Sequence, residues 1–174
     1  MAETHHFHGG VHPADGKALS AACAIRPAPL LDTYVVPLLQ HIGAPPKLLV
    51  GKGDKVLRGG LLAQAGGFVS APVHAPTSGT VKELTEVSSP MGRFGPAVVI
   101  ESDGEDRADE GLAPIADWEE AAPSVLKTRL GDAGLVGMGG AAFPTLVKLS
   151  PPAGKPISVL ILNGVECEPC LTAD

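Results

Sequence analysis

The sequence predicts a mixed fold, an all-β barrel or sandwich followed by the start of an α/β unit. Three observations predict it. Residues 25–115 run as short apolar segments of strand length broken by turn residues. Residues 117–148 change to helical patterns on either side of a glycine-rich turn. Ile157-Ser158-Val159-Leu160-Ile161-Leu162 is a continuous apolar run of the kind buried in a parallel sheet. Composition agrees: 22 glycines and 17 prolines in 174 residues favour many turns and short strands, and with aromatics at 3% the core must be Val, Leu, Ile and Ala.

Taken in order, the first residues carry His5, His6, His8 and His12, which are a frayed terminal segment with a turn at His8-Gly9-Gly10 rather than a metal tract. Strands are expected at Tyr34-Val35-Val36-Pro37-Leu38-Leu39, Leu48-Leu49-Val50, Val56-Leu57, Leu61-Leu62-Ala63, Phe68-Val69, Gly79-Thr80-Val81 and Ala97-Val98-Val99-Ile100. Gly51-Lys52-Gly53-Asp54, Gly59-Gly60, Gly66-Gly67 and Ser78-Gly79 supply the corners between them. His41 and His74 are isolated in apolar surroundings and are expected to be structural rather than metal ligands. The acid-rich stretch 103–109 is expected to be a solvated loop between a β domain, residues 1–113, and the second domain, residues 114–174. Asp117 with Glu120 makes a capping-box pattern, and Pro123 restarts a helix bearing Val125, Leu126 and Leu130 on one side until Gly131 and Gly134 stop it.

A formal charge of −6 without a basic cluster argues against nucleic acid, because phosphate contacts need grouped Lys and Arg. No run approaches the roughly 18 apolar residues of a membrane span, so any membrane link is expected to pass through a partner, without direct insertion. Three cysteines, Cys23, Cys167 and Cys170, are too few for a disulfide framework and fit a reducing compartment. Cys167 and Cys170 have Cys-x-x-Cys spacing, but the chain has no second pair, and no metal ligand is assigned.

The chemistry concentrates after the helix. Gly134, Gly137, Gly139 and Gly140 crowd one turn, and Pro144 opens a second short helix. A turn so free of side chains exposes backbone N–H groups, and with Lys148 beyond it the natural guest is a phosphate. Beyond the apolar run, Asn163 offers an amide, and Glu166 and Glu168 place two carboxylates at the strand's carboxyl end, where ligands of open α/β sheets bind. Acids repel phosphate, so they face another part of the ligand, its hydroxyls, ring N–H groups or an amide.

The string Gly137-Met138-Gly139-Gly140-Ala141-Ala142-Phe143-Pro144-Thr145 with Lys148, then Asn163-Gly164-Val165-Glu166-Cys167-Glu168-Pro169, resembles the flavin-binding segment of two related families. These are the NADH-oxidising subunit of respiratory complex I and the C subunit of the Rnf electron transport complex, and the wording of the acids looks like the Rnf member. Phe7-His8-Gly9-Gly10-Val11-His12-Pro13 agrees with it too. Residues 53–63 and 75–81 also resemble the barrel-sandwich hybrid of biotinyl and lipoyl carrier domains. Residues 66–74 between them contain no lysine, so the fold is expected and the carrier chemistry is not.

The resemblance implies that Gly137, Gly139, Gly140 and Lys148 hold the phosphate and ribityl part of FMN. It places Asn163, Glu166 and Glu168 near the isoalloxazine ring and the nicotinamide, and Phe143 against the adenine of NADH. A second stacking aromatic of complex I falls at Pro151, which makes the claim on NAD(H) weaker than that on FMN. Two carboxylates near the ring lower its potential. The implied activity is electron transfer between NAD(H) and iron–sulfur clusters or ferredoxin, within an NAD(H):ferredoxin-type oxidoreductase complex that is membrane-bound and ion-translocating. A peripheral place on the cytoplasmic face of a bacterial inner membrane is implied, with other subunits of the complex as partners. Family members continue with Cys-x-x-Cys-x-x-Cys, so the 4Fe-4S clusters are expected beyond Asp174, and this stretch alone is expected to be inactive. The alternative is a non-catalytic barrel-sandwich docking module, distinguished by whether the chain binds FMN.

Overall fold

The computed structural model describes residues 8–9, 13–89, 92–138, 140–152, 154, 157–161 and 169–170. The chain divides into two compact units, Pro29–Pro156 and a smaller one made of Met1–Ala28 with Ile157–Asp174.

The larger unit is built on two antiparallel sheets. One contains β1 (Thr33–Pro37), β7 (Phe94–Ser102), β6 (Gly79–Ser88) and β3 (Lys55–Val56) in the order β1-β7-β6-β3. The other contains β2 (Lys47–Leu48), β4 (Leu61–Gln64) and β5 (Val73–His74) in the order β2-β4-β5. Val36, Val56, Val81, Val98 and Ile100 from the first sheet and Leu62, Ala63 and Val73 from the second enclose one apolar core with Leu38 and Ala75. Aliphatic side chains fill it, and this is the all-β sandwich expected from the short apolar runs, in keeping with the barrel-sandwich hybrid that the resemblance to carrier domains implies.

Three strands depart from expectation. β6 runs on to Ser88 because it pairs with β7 as far as Ser88↔Phe94, gaining backbone bonds that its polar sequence does not advertise. Phe68-Val69 lies in a bend with Phe68 exposed, and the strand forms instead at Val73–His74, paired to β4. Residues 157–161 form no strand: Ile157, Val159, Leu160 and Ile161 are all more than half exposed, because a strand needs a hydrogen-bonding neighbour and none of the described residues pairs with them.

The acid-rich stretch is an exposed loop, as expected, but it is also pinned to the barrel. Ser78, fully buried, donates its hydroxyl to Asp103 at 2.6 Å and accepts the Arg107 N–H at 2.9 Å, while Thr77 donates to Asp106. Arg107 pairs with Asp103 at 2.6 Å and Glu105 at 3.0 Å, and Arg58 with Asp106 at 3.1 Å. The Ser78 hydroxyl first, then Arg107, holds the Asp103 carboxyl well below the ordinary carboxylate range. Two hydroxyls and the Arg58 guanidinium thus latch residues 103–109 onto the barrel, and the Arg107 guanidinium braces the stretch internally. The latch leads into α1 (Pro123–Asp132), whose first turn starts at Pro123 and not at Asp117. Pro123 has the φ and missing N–H of a first helical residue, and Asp117 to Glu120 closes only a turn. On α1, Leu126 and Leu130 are half-buried, whereas Val125 is exposed. One turn of helix, α2 (Thr145–Lys148), follows the glycine loop.

In the smaller unit the described residues hold a 3-10 turn at Lys17–Leu19 and two free, exposed cysteines, Cys23 and Cys170.

Candidate functional site

The glycine-rich segment is a closed loop. Val136 and Pro144 form an antiparallel bridge, Gly137 N–H donates to the Phe143 carbonyl at 2.9 Å, and Thr145 N–H donates to the Leu135 carbonyl at 2.9 Å. Fully buried Pro144 anchors the closing arm. Gly140 and Ala141 are exposed within a turn, so their backbone is open to an approaching anion or carbonyl-bearing ligand. The four-residue α2 is too short for its dipole to add much, so the open backbone and not the helix carries this property.

Lys148 is exposed, and its Nζ lies 3.0 Å from where a Cβ on Gly137 would stand. Glycine at 137 therefore leaves the lysine head its place beside the loop. A Cβ on Gly140 would meet nothing within 4 Å, so that backbone is open to an approaching molecule. Phe143 is half-buried at the closing arm. Gly137, Gly140, Phe143 and Lys148 thus come together on one loop, while Gly139, Asn163, Glu166 and Glu168 lie outside the described residues. These groups fit the phosphate of a cofactor such as FMN: exposed backbone at Gly140 and Ala141, one exposed ammonium and no carboxylate within the loop.

The barrel grips this loop, which the sequence did not announce. Ile42 N–H donates to the Ala142 carbonyl at 3.3 Å. His41, 5% exposed, stands behind Ile42, with Nδ1 2.9 Å from the Ile42 carbonyl and Nε2 3.1 Å from the Ala71 nitrogen. Ala142, 8% exposed, holds φ +48°, a left-handed conformation unusual for a residue with a Cβ. At the other arm Gly134 has φ +68°, and a Cβ there would lie 2.5 Å from the Pro72 carbonyl oxygen and 3.4 Å from the His74 ring. The His74 imidazole reaches the backbone carbonyl of Asp132 at the end of α1. Burial lowers the His74 pKa, against the Asp132 carbonyl and the carboxylates of Asp109 and Asp132, which raise it. Both histidines thus have structural partners, as their isolation in apolar sequence suggested. Among the described residues no three His, Cys, Asp or Glu side chains could hold a metal together, and no helix is long and apolar enough to cross a membrane.

Known proteins supply a second line of evidence. Residues 5–105 match the family model of the RnfC barrel sandwich hybrid domain, and residues 130–174 match that of the Nuo51 FMN-binding domain. The C subunit of the proton-translocating ferredoxin:NAD(+) oxidoreductase complex of Clostridium ljungdahlii is 46% identical over 168 residues, covering 97% of this chain and 37% of the relative. Its counterpart in the Na(+)-translocating complex of Acetobacterium woodii is 42% identical over 168 residues, 97% of this chain and 38% of the relative. The C subunit of the ion-translocating oxidoreductase complex of Pseudomonas aeruginosa is 44% identical over 176 residues, 100% of this chain and 23% of the relative. The chain therefore spans well under half the length of the curated relatives it matches.

Proposed function

The chain belongs to the RnfC family, and from that premise we propose that it is the part of a peripheral electron-transfer subunit that grips the phosphate end of FMN. The observation that carries this is the open backbone at Gly140 and Ala141 on a loop with Lys148 at its side. In this assignment Gly137, Gly139, Gly140 and Lys148 bind phosphate and ribityl, and Phe143 stacks on the adenine of NADH. Asn163, Glu166 and Glu168 orient the ring system. When bound, FMN supplies hydride acceptance and one-electron release, and the chain supplies position and field.

The division of labour follows the two family matches. Residues 1–113 form the barrel-sandwich domain and residues 114–174 the first part of the FMN domain. In the whole protein, electrons pass between NAD(H) and 4Fe-4S clusters carried beyond this chain, and on to a ferredoxin-type carrier. The other members of the complex hold it at the cytoplasmic face of the bacterial inner membrane. The names of the relatives, ferredoxin:NAD(+) oxidoreductases that translocate protons or sodium, support this assignment.

Titrating the 174-residue chain with FMN while following flavin fluorescence tests it. Wild type is expected to quench FMN. Lys148→Glu should weaken FMN binding by about tenfold or more, the value of a charge-assisted hydrogen bond replaced by repulsion, and leave riboflavin, which lacks the phosphate, unchanged. Equal FMN affinity in wild type, Lys148→Glu and Gly139→Asp would remove the assignment.

A further inference from the structure

We propose that His41 is a positioning residue for the cofactor loop: the barrel, through His41 and Ile42, sets the backbone shape of the loop at Ala142 and so the direction of the peptides beside it. The consequence for FMN rests on the function proposed above, whereas the clamp itself rests on geometry alone. His41 is nearly sealed from solvent, far in sequence from the loop, and its two ring nitrogens are both engaged. Nδ1 faces only the Ile42 carbonyl, at 2.9 Å, and so carries a proton, while Nε2 sits against the Ala71 backbone, 3.1 Å from its nitrogen and 3.0 Å from its carbonyl oxygen. Bonded on both sides, the ring fixes the Ile42 peptide relative to strand-leading residue Ala71.

The other side of residue 42 is the loop. Ile42 N–H meets the Ala142 carbonyl at 3.3 Å, and Ala142 is the residue bent to φ +48° between the exposed Gly140-Ala141 turn and Phe143. A non-glycine residue persists in that region only where its surroundings hold it. Turning the Ala142 carbonyl toward Ile42 commits the adjoining peptides, including the Phe143 N–H, to face the other way. The chain of contact therefore runs Ala71, His41, Ile42, Ala142, and ends at the peptides beside it. The second grip, Gly134 packed on Pro72 and His74, falls on the same barrel segment, residues 71–74. One short stretch of barrel thus holds both arms of the loop.

Hydrogen–deuterium exchange on the full chain without FMN, His41→Ala against wild type, tests the clamp. Amides of residues 134–148 are expected to exchange about tenfold faster, while β6 and β7 stay within about twofold. His41→Asn, which keeps a donor for the Ile42 carbonyl, should recover part of the protection. Histidine ring nitrogen shifts in wild type should show the Nδ1–H form. Unchanged loop exchange in His41→Ala would overturn the proposal, and so would an equal rise in β6 and β7, which would make His41 an ordinary core residue. FMN titration of the same proteins separates the two claims. Faster loop exchange with about tenfold weaker FMN binding supports both, whereas faster loop exchange in a chain whose wild type ignores FMN keeps the clamp and removes the flavin assignment.

Discussion

Gly134→Ala tests how α1 and the loop are joined to the barrel. The native φ of +68° lies in the left-handed region, and moving an L-residue there costs about 1–2 kcal/mol. The new Cβ would stand 2.5 Å from the carbonyl oxygen of Pro72, a backbone atom that cannot swing aside as a side chain would. Forcing an extra methyl into such a contact costs about 1–3 kcal/mol. Against these stands the reduced freedom of the unfolded chain, about 0.4–1 kcal/mol in favour of alanine. The sum is a loss of about 1–4.5 kcal/mol. Urea denaturation followed by circular dichroism measures it, with the midpoint falling and the slope kept if the chain unfolds as one unit. If α1 instead lifts off the barrel, residues 123–148 lose exchange protection and the barrel keeps its own. A variant as stable as wild type, with residues 123–148 equally protected, would refute the packing of Gly134 on Pro72.

Other perturbations have directions fixed by the same geometry. Ala142→Gly relieves about 1–2 kcal/mol of left-handed strain but gives up a buried methyl worth about 0.8 kcal/mol and adds about 0.5–1 kcal/mol of glycine entropy, so stability by thermal melting should change by less than about 1 kcal/mol. Burial lowers the His74 pKa below 6.5 in the folded chain, so the unfolded chain binds the proton more readily. The stability tied to neutral His74 is present above that value and falls away as the pH drops through and below it, and His74→Gln should flatten that part of a stability–pH profile. The Asp103 carboxyl behaves likewise at lower pH: its folded pKa is depressed, so its contribution is full above the ordinary carboxylate range and lost on acidification. Removing its largest stabilising partner with Ser78→Ala should move acid unfolding to a higher pH.

The sequence made part of this legible. Runs such as Leu61-Leu62-Ala63 and Ala97-Val98-Val99-Ile100 became strands because apolar density bounded by glycine forces both burial and a corner. Val73–His74 was hidden between Pro72 and Pro76, which look like loop, although a two-residue edge pairing tolerates prolines on either side. The acidic stretch was legible as an exposed loop but its attachment was not, because its partners, Arg58, Thr77 and Ser78, stand 25 or more residues away and only the fold brings them near. The open backbone of the glycine loop was legible because absent side chains announce it, and Lys148 falls beside it. The clamp was not, since nothing local in His41-Ile42 or Ala142 shows that they touch. The run at 157–161 shows the limit of local pattern: its apolar character predicts a strand, but a strand is a relation between two segments.

The bridge between Val136 and Pro144 has one more consequence. Because it ties off the loop at its base before any cofactor arrives, little conformational freedom remains to be surrendered on binding. Affinity that a floppy glycine segment would spend on ordering itself stays available for contacts with the ligand. Richness in glycine, which on paper suggests looseness, coexists here with a receptor already set in shape.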